Sequence, residues 1–442
     1  MALPVLVYFI SVCCLLLPVA IGEVSSRSDQ LRPFLIGYRF TVTGLGVAIA
    51  AGACIAYLVS RRSAIESSDF YYYVCYARDT LHHGVDVPSD RYRYFPGVYA
   101  FWRTVMRVGG ESLVALQWAY VLVLAVNCVL VAGIVARGCR RIDAAVFAGI
   151  WYLVLASRFE GFAGVTEPLA TIPFLAGVLA WGGRPLRGRA GVCASAILGT
   201  GIGLALYVKQ QAGLLSLGAA ALLLVPPPGT HGRHGWAGLC LLPLISAGVF
   251  ALAIAIEGMG LAPLAMGLHQ ASSYPSQSSW GQHLYALARN DESATLAALL
   301  TALAWSGCRA TTRSGCGPRH DALDMAGLLV LAGAATLVQY RWRGYYHYAL
   351  LAVPCLVAAA PIVGGELFAR LPSRWRDREW LRWLAMACAG FPLAYTGGNA
   401  ETLQAWNWQP TRVTSTTAWR LQPEVAADLD ELASLVARHD EL

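Results

Sequence analysis

A carboxylate placed for acid–base chemistry opens an aromatic-rich segment of this sequence, SSDFYYYVCYARDTLHHG at positions 67–84. Ser67 or Ser68 is suited to cap a helix there, and Gly84 fits just past its end. Asp69 would lie in the first turn, where a carboxylate complements the helix dipole. A carboxylate that faces a substrate hydroxyl can instead act as a general base. The residue pattern fits both interpretations of Asp69.

A cation interrupts one of the long apolar runs. Lys209 is the single lysine among 33 basic residues, and Gln210 and Gln211 follow it directly. An ammonium at this depth either extends to the membrane surface or lines a cavity. In a cavity, a phosphate group is a natural partner for it.

The segment RWRGYYHY at 341–348 gathers cationic and aromatic side chains at the end of another apolar run. It is typical of an aromatic belt with arginines that extend to the membrane surface. It also fits a clamp for a phosphorylated sugar, because the planar fork of arginine matches phosphate oxygens. Arg341, Arg343, Tyr346 and His347 are the candidate binding residues.

A short turn, SRFEGFAGVTEP at 157–168, carries further charges between two apolar stretches. Arg158 and Glu160 form a local pair if the turn is an ordinary helix connection. Ionisable residues inside a membrane are costly and usually have a function, so Glu167 is also a candidate site residue.

These residues need a membrane-embedded scaffold to bring them together. The chain is 57% hydrophobic and only 13% charged, whereas soluble domains carry about 25% charged residues. Its mean hydropathy is +0.51. We therefore predict an all-α polytopic membrane protein with about 11–13 transmembrane helices. The helices are expected at roughly 1–22, 41–60, 112–136, 142–157, 166–182, 191–208, 212–226, 236–256, 293–306, 324–340, 345–363 and 383–396.

The distribution of arginine predicts the orientation. Alternate short loops, from 23–40 through 364–382, hold 18 of the 33 basic residues, so they are expected on the cytoplasmic side. Residues 1–396 then form one transmembrane domain with two long extracytoplasmic loops, 61–111 and 257–292. The tail 397–442 is extracytoplasmic.

The first long loop is expected to contain two amphipathic helices. The apolar positions of the first follow a helical period, which predicts a helix lying along the membrane surface with its aromatic rings at the interface. They are Phe70, Tyr73, Val74, Ala77 and Leu81. The second amphipathic segment follows the turn at Tyr94–Gly97. The net charge of +7 does not predict nucleic-acid binding, because no basic run is interleaved with aromatic residues.

At this point the sequence resembles a known family. The residues of the first loop resemble the first outer loop of the GT-C glycosyltransferases. This superfamily includes protein O-mannosyltransferases, lipid A aminoarabinose transferases and RgtA/B/C/D-like enzymes. The matching positions are Asp69, Tyr72, Tyr73, Ala77, Arg78, Gly84, Pro88, Tyr94 and Pro96. One departure is that Phe70 follows Asp69, where many members have a second acidic residue.

The resemblance implies a GT-C fold and a membrane glycosyltransferase. Such an enzyme moves a sugar from a polyprenyl-phosphate carrier to a glycan, lipid or protein acceptor by an inverting single displacement. It implies that Asp69 is the catalytic base and that Lys209, Arg341 and Arg343 stabilise the departing phosphate, with Tyr346 and His347 beside the donor. Supporting roles fall to Arg78, Tyr72, Arg158, Glu160, Glu167 and Tyr94.

The resemblance also bears on location and cofactors. It implies a bacterial-type plasma membrane with the active site on the extracytoplasmic side. No metal site is assigned, although some relatives use a divalent metal near this acidic loop, where Asp69 with Glu160 or Glu167 would offer ligands.

Two alternatives remain open. A secondary transporter or a lipid or polysaccharide flippase would use the same intramembrane charges for substrate or proton coupling. Such proteins usually contain internal repeats, and none is visible in this sequence. A non-catalytic membrane scaffold would not need acidic and cationic groups gathered on one side.

Overall fold

The computed structural model of the chain describes part of its length. The described residues are 68–83, 95–158, 165–184, 186, 188–216, 220, 236–258, 292–311, 318–343, 346–372, 409–410 and 420–421. The α-helices in them are α1 (Ser68–His83), α2 (Pro96–Gly109), α3 (Leu113–Cys139), α4 (Ile142–Arg158), α5 (Glu167–Trp181), α6 (Gly188–Val208), α7 (Trp236–Ile256), α8 (Glu292–Thr311), α9 (Pro318–Arg343) and α10 (Val353–Ala369). The 3-10 helices are η1 (Gln210–Ala212) and η2 (Tyr346–Leu351). Strand β1 (Gln409–Pro410) pairs antiparallel with β2 (Arg420–Leu421).

The apolar helices match a membrane protein. Within the described residues, Trp118–Cys139, Gly191–Val208 and His320–Leu337 are long and apolar enough to cross a bilayer. Shorter apolar helices are Ile142–Ala156, Glu167–Trp181, Cys240–Ile256 and Val353–Ala369. The predicted helical membrane-protein class is therefore confirmed for this part. The helices predicted at 1–22, 41–60 and 383–396, and most of 212–226, lie outside the described residues.

One predicted helix needs correction. The apolar stretch 345–363 was expected to be continuous, but it is divided into η2 and α10. Pro354 lies in the first turn of α10. A proline has no N–H for an intrahelical hydrogen bond and its ring obstructs the preceding turn, so a helix starts near it more readily than it continues through it.

Glycines bring α5 and α6 into backbone contact. A Cβ on Gly201 would lie 2.5 Å from the Pro173 carbonyl oxygen and 3.1 Å from the Gly177 Cα. Such small residues let membrane helices approach closely. Because α5 and α6 cross antiparallel at these glycines, the start of α5 lies beside the end of α6.

Helix α7 packs on another face of α6, also against glycines. A Cβ on Gly199 would lie 3.0 Å from the Leu242 carbonyl oxygen, and one on Gly203 would lie 2.6 Å from that of Ser246. This register makes α6 and α7 parallel. The ends of α6 and α7 and the start of α5 therefore share one end of the bundle, which we call the Lys209 end.

The start of α9 lies at the opposite end of the bundle. A Cβ on Gly183, just after α5, would overlap the Asp321 carbonyl group. Arg309 of α8 pairs with Asp324 of α9 at 2.8 Å. Helix α9 has 26 residues and so spans about 39 Å. Its last turn, which contains Arg341 and Arg343, therefore reaches the Lys209 end.

The first-loop helices pack on protein. The Phe70 ring meets the Trp102 ring edge to face at 5.3 Å, and the Tyr73 and Tyr99 rings are 6.4 Å apart. Phe70 and Tyr73 are 0% and 1% exposed. The predicted apolar stripe of α1 is thus confirmed. Its aromatic rings pack on α2, which presents a matching aromatic face, and its position along a membrane surface stays a prediction.

Candidate functional site

The Lys209 end contains a buried ion pair between α5 and α6. The Lys209 ammonium contacts the Glu167 carboxylate and donates to the Thr166 hydroxyl at 2.8 Å. Lys209 and Thr166 are each 3% exposed and Glu167 is 0% exposed. Removing charges from water costs several kcal/mol for each ion, so their burial requires this pairing. The carboxylate partner of Lys209 was not predicted from the sequence.

The backbone break after α6 aims Lys209 at this partner. Lys209 is extended, with φ −150° and ψ 128°, between the last turn of α6 and η1. Its N–H still donates to the Ala205 carbonyl oxygen at 3.0 Å, while its own carbonyl accepts from the Ala212 N–H at 3.0 Å. The helix axis is thus interrupted at Lys209, whose own backbone N–H and carbonyl both remain hydrogen-bonded.

Side chains of α3 fix the start of α5. The Tyr120 hydroxyl donates to the Val165 carbonyl oxygen at 2.9 Å. The Asn127 amide donates to the Pro168 carbonyl oxygen at 2.5 Å and accepts from the Thr171 hydroxyl at 3.0 Å. These bonds hold the backbone on both sides of Thr166 and Glu167, which sets the position of the carboxylate.

Aromatic packing connects this site to the helix that carries Asp69. Phe70, the next residue after Asp69, packs on Trp102 of α2. Trp102 stacks on Tyr120 with ring centroids 6.5 Å apart and an interplanar angle of 17°. Tyr120 in turn holds the residue before Thr166. A continuous packed path therefore runs from the start of α1 to the Lys209–Glu167 pair.

A second buried ion pair lies at the same end, and its residues were absent from the predicted site. The Arg103 guanidinium of α2 contacts the Glu257 carboxylate just after α7. The Tyr207 hydroxyl of α6 donates to the other carboxylate oxygen of Glu257 at 2.9 Å. An acidic residue directly after the apolar run of α7 was the signal available in the sequence.

Of the predicted supporting residues of α1, Arg78 lies toward solvent and Tyr72 packs against the core. Arg78 pairs with Glu111 at 2.7 Å, and His82 contacts the other oxygen of the same carboxylate at 2.6 Å. The Arg78 side chain is 63% exposed. Tyr72 is partly buried and stacks on Tyr76 at 6.3 Å. Arg78 therefore pairs with an acidic residue of the connection between α2 and α3.

Several predicted site residues are placed by their backbone only. Asp69 lies in the first turn of α1, Arg341 and Arg343 in the last turn of α9, and Arg158 at the end of α4. Tyr346 and His347 begin η2, which packs against α5 and α9. Their side chains, and all of Tyr94 and Glu160, lie outside the described part of the structure.

The metal ion that the resemblance allowed stays a prediction, because the Asp69 side chain and all of Glu160 lie outside the described residues. Within the ranges given above, no group of three or more His, Cys, Asp and Glu side chains could hold one. Glu167, one of the proposed ligands, has the Lys209 ammonium against its carboxylate. A cation beside a carboxylate competes with a metal for its oxygens, and we derive no step through a metal.

No family model and no curated protein matches this chain. Among solved structures, it is similar to ArnT from Cupriavidus metallidurans bound to undecaprenyl phosphate. The TM-score is 0.46 at 18% identity, covering 78% of this chain and 63% of ArnT. It is also similar to the archaeal oligosaccharyltransferase AglB from Archaeoglobus fulgidus, in complex with an inhibitory peptide and a dolichol-phosphate. There the TM-score is 0.47 at 13% identity, covering 86% of this chain and 56% of AglB.

ArnT and AglB are both members of the GT-C superfamily that the first-loop motifs resemble. The chain spans between about half and two thirds of the length of these proteins. Both TM-scores are below 0.5, so the likeness identifies no substrate and no catalytic residue of this chain. Those assignments depend on the residues of this chain.

Proposed function

We propose that this chain is a membrane glycosyltransferase that takes a sugar from a polyprenyl-phosphate carrier. The observation that carries the proposal is the buried Lys209–Glu167 pair, joined by packed aromatic rings to the helix that bears Asp69. Buried charges at membrane depth are costly and usually serve function. The segments with Arg341, Arg343 and His347 reach the same end, which supports the proposal.

The proposed reaction is a single displacement at the anomeric carbon. The acceptor hydroxyl oxygen forms the new glycosidic bond while the bond between the anomeric carbon and the phosphate oxygen breaks. Asp69 accepts the proton that the hydroxyl loses. The departing polyprenyl phosphate gains negative charge, which Arg341, Arg343 and Lys209 stabilise. The configuration at the anomeric carbon is inverted.

The acceptor is a glycan, lipid or protein hydroxyl at the extracytoplasmic surface of a bacterial-type plasma membrane. The extracytoplasmic side follows from the arginine distribution, which predicts that the loop containing Asp69 lies outside; the acceptor classes and the membrane type come from the sequence resemblance. A lipid-linked donor fits a site that lies at the end of a helical bundle, because the carrier chain can remain in the bilayer while its phosphate enters between the helices.

A panel of radiolabelled undecaprenyl-phosphate sugars tests the proposal. The purified protein is expected to transfer or hydrolyse at least one of them, and Asp69→Asn is the matched inactive variant. A secondary transporter with a proton-coupled Lys–Glu pair would leave every carrier intact. It would instead move a solute or lipid across vesicles that contain the protein, so intact carriers with such transport would contradict the enzyme.

A further inference from the structure

The buried ion pair of Arg103 and Glu257 joins segments far apart in the chain. Arg103 belongs to α2 in the predicted first outer loop, and Glu257 begins the predicted second outer loop. They are 6% and 8% exposed. Both oxygens of the Glu257 carboxylate are engaged, one by Arg103 and the other by the Tyr207 hydroxyl at 2.9 Å. We call these three residues the Arg103 latch.

The Arg103 latch lies next to Lys209. Tyr207 lies in the last turn of α6, two residues before Lys209. Helix α2 also touches this turn directly, because a Cβ on Gly97 would lie 2.7 Å from the Tyr207 carbonyl oxygen. Phe95, just before α2, packs on Phe250 of α7 with ring centroids 5.4 Å apart. The start of α2 is therefore seated on the ends of α6 and α7.

Helix α1 is held against α2, because Phe70 and Tyr73 of α1 pack on the Trp102 and Tyr99 rings of α2. A shift of α2 would therefore move α1 and Asp69 relative to Lys209. A buried ion pair is a weak source of stability, because apolar residues of similar volume often stabilise a fold equally well or better. The directional contacts of the Arg103–Glu257 pair do fix one orientation of α2 against α6 and α7.

We propose that Arg103 and Glu257 are positioning residues that hold Asp69 at a fixed place relative to Lys209 during transfer. This inference rests on the proposed function. Neither residue is assigned to contact the donor or the acceptor. Loss of the latch should therefore lower kcat while leaving KM for the carrier nearly unchanged, because the phosphate-binding groups stay in place and only the base is misplaced.

The test compares two buried arginines in carrier-dependent sugar transfer. Arg103→Met breaks the latch, and Arg309→Met breaks an equally buried pair, with Asp324, at the opposite end of the bundle. Both variants should be less stable than wild type. After isolation of the folded fraction, Arg103→Met should lose about 10²-fold in kcat, as misplacement of a catalytic group by about 1 Å can cost. KM should change by less than about twofold, and Arg309→Met should keep wild-type kcat.

A reciprocal variant keeps the test decisive if Arg103→Met does not fold. Arg103→Glu combined with Glu257→Arg restores an ion pair of reversed direction, and should recover at least about tenfold of the kcat lost by Arg103→Glu alone. Equal kcat for Arg103→Met and Arg309→Met, or no recovery in the reciprocal variant, overturns the positioning role alone. Wild-type protein that transfers no sugar overturns the proposed function and this inference together.

Discussion

The Lys209 ammonium and the Glu167 carboxylate form an ion pair almost wholly removed from solvent, with side-chain exposures of 3% and 0%. The two residues are 42 positions apart in the sequence and meet because α5 and α6 are in backbone contact. The proposed site at the Lys209 end therefore contains two buried, opposite charges. The predictions that follow test how this pair is built and what it does.

The first prediction concerns the stability of the pair. Lys209→Met should lower the free energy of unfolding by about 3–5 kcal/mol, because it leaves the buried Glu167 carboxylate without its ammonium. Thermal unfolding of the purified protein in detergent micelles measures the change. Arg141→Met is the control, since the Arg141–Asp143 pair is 39% and 27% exposed and should be worth at most about 1 kcal/mol. Similar losses in both variants would contradict a special role for the buried pair.

The second prediction concerns the glycine contact that brings the pair together. Gly201→Ala should destabilise the protein by about 1–3 kcal/mol, because its Cβ would lie 2.5 Å from the Pro173 carbonyl oxygen and force α5 and α6 apart. Gly248→Ala in α7 is the matched control, with nothing within 4 Å of its Cβ. It should be neutral or stabilise the helix by up to about 1 kcal/mol. The melting temperatures of both variants are measured under identical conditions. A Gly201→Ala protein as stable as Gly248→Ala would contradict the close contact of α5 and α6.

The third prediction concerns orientation. Cys75 is exposed on α1, and the arginine distribution places it outside the cell. A membrane-impermeant maleimide should label wild-type protein in sealed cells, and the Cys75→Ser variant gives the background. In the Cys75→Ser background, Leu371→Cys, placed at a residue that is 42% exposed in a predicted cytoplasmic loop, should react only after permeabilisation. Labelling of position 371 in sealed cells would reverse the topology and remove the extracytoplasmic site.

Local patterns in the sequence predicted local structure well. The apolar run 236–256 coincides with α7, Trp236–Ile256. The stripe through Phe70 and Tyr73 is buried as predicted, because helical periodicity depends only on neighbouring residues. The break between η2 and α10 was missed although Pro354 was visible, since apolar composition alone does not distinguish one span from two shorter helices.

The pairing of charges depended on tertiary contacts that one sequence does not reveal. Lys209 and Glu167 were both candidate site residues, but their register is set by the close approach at Gly177 and Gly201. Arg103 and Glu257 are 154 positions apart, and neither was a candidate, because nothing in either local segment indicates the other as its partner. The sequence resemblance assigns roles to single residues. The structure shows the ion-pair partners of two of them, Lys209 and Arg78.

Replacement of Asp69, the proposed base, by Asn tests the proposed function most directly. Asn at this position keeps the size of the side chain and caps a helix about as well as Asp. If Asp69 only complements the helix dipole, Asp69→Asn should lose roughly 0.3–1 kcal/mol of stability and retain activity.

The measurement is sugar transfer from a radiolabelled undecaprenyl-phosphate sugar by wild type, Asp69→Asn and the control Glu66→Gln, with carrier binding measured in parallel. Glu66 is the nearest acidic residue before Asp69 in the sequence and lies outside the first-loop motif. We predict that Asp69→Asn lowers kcat by about 10²–10⁴-fold with carrier binding nearly unchanged, because the acceptor hydroxyl loses its general base. Glu66→Gln should remain close to wild type. Transfer by Asp69→Asn at a rate near that of wild type would contradict the assignment of Asp69 as the catalytic base.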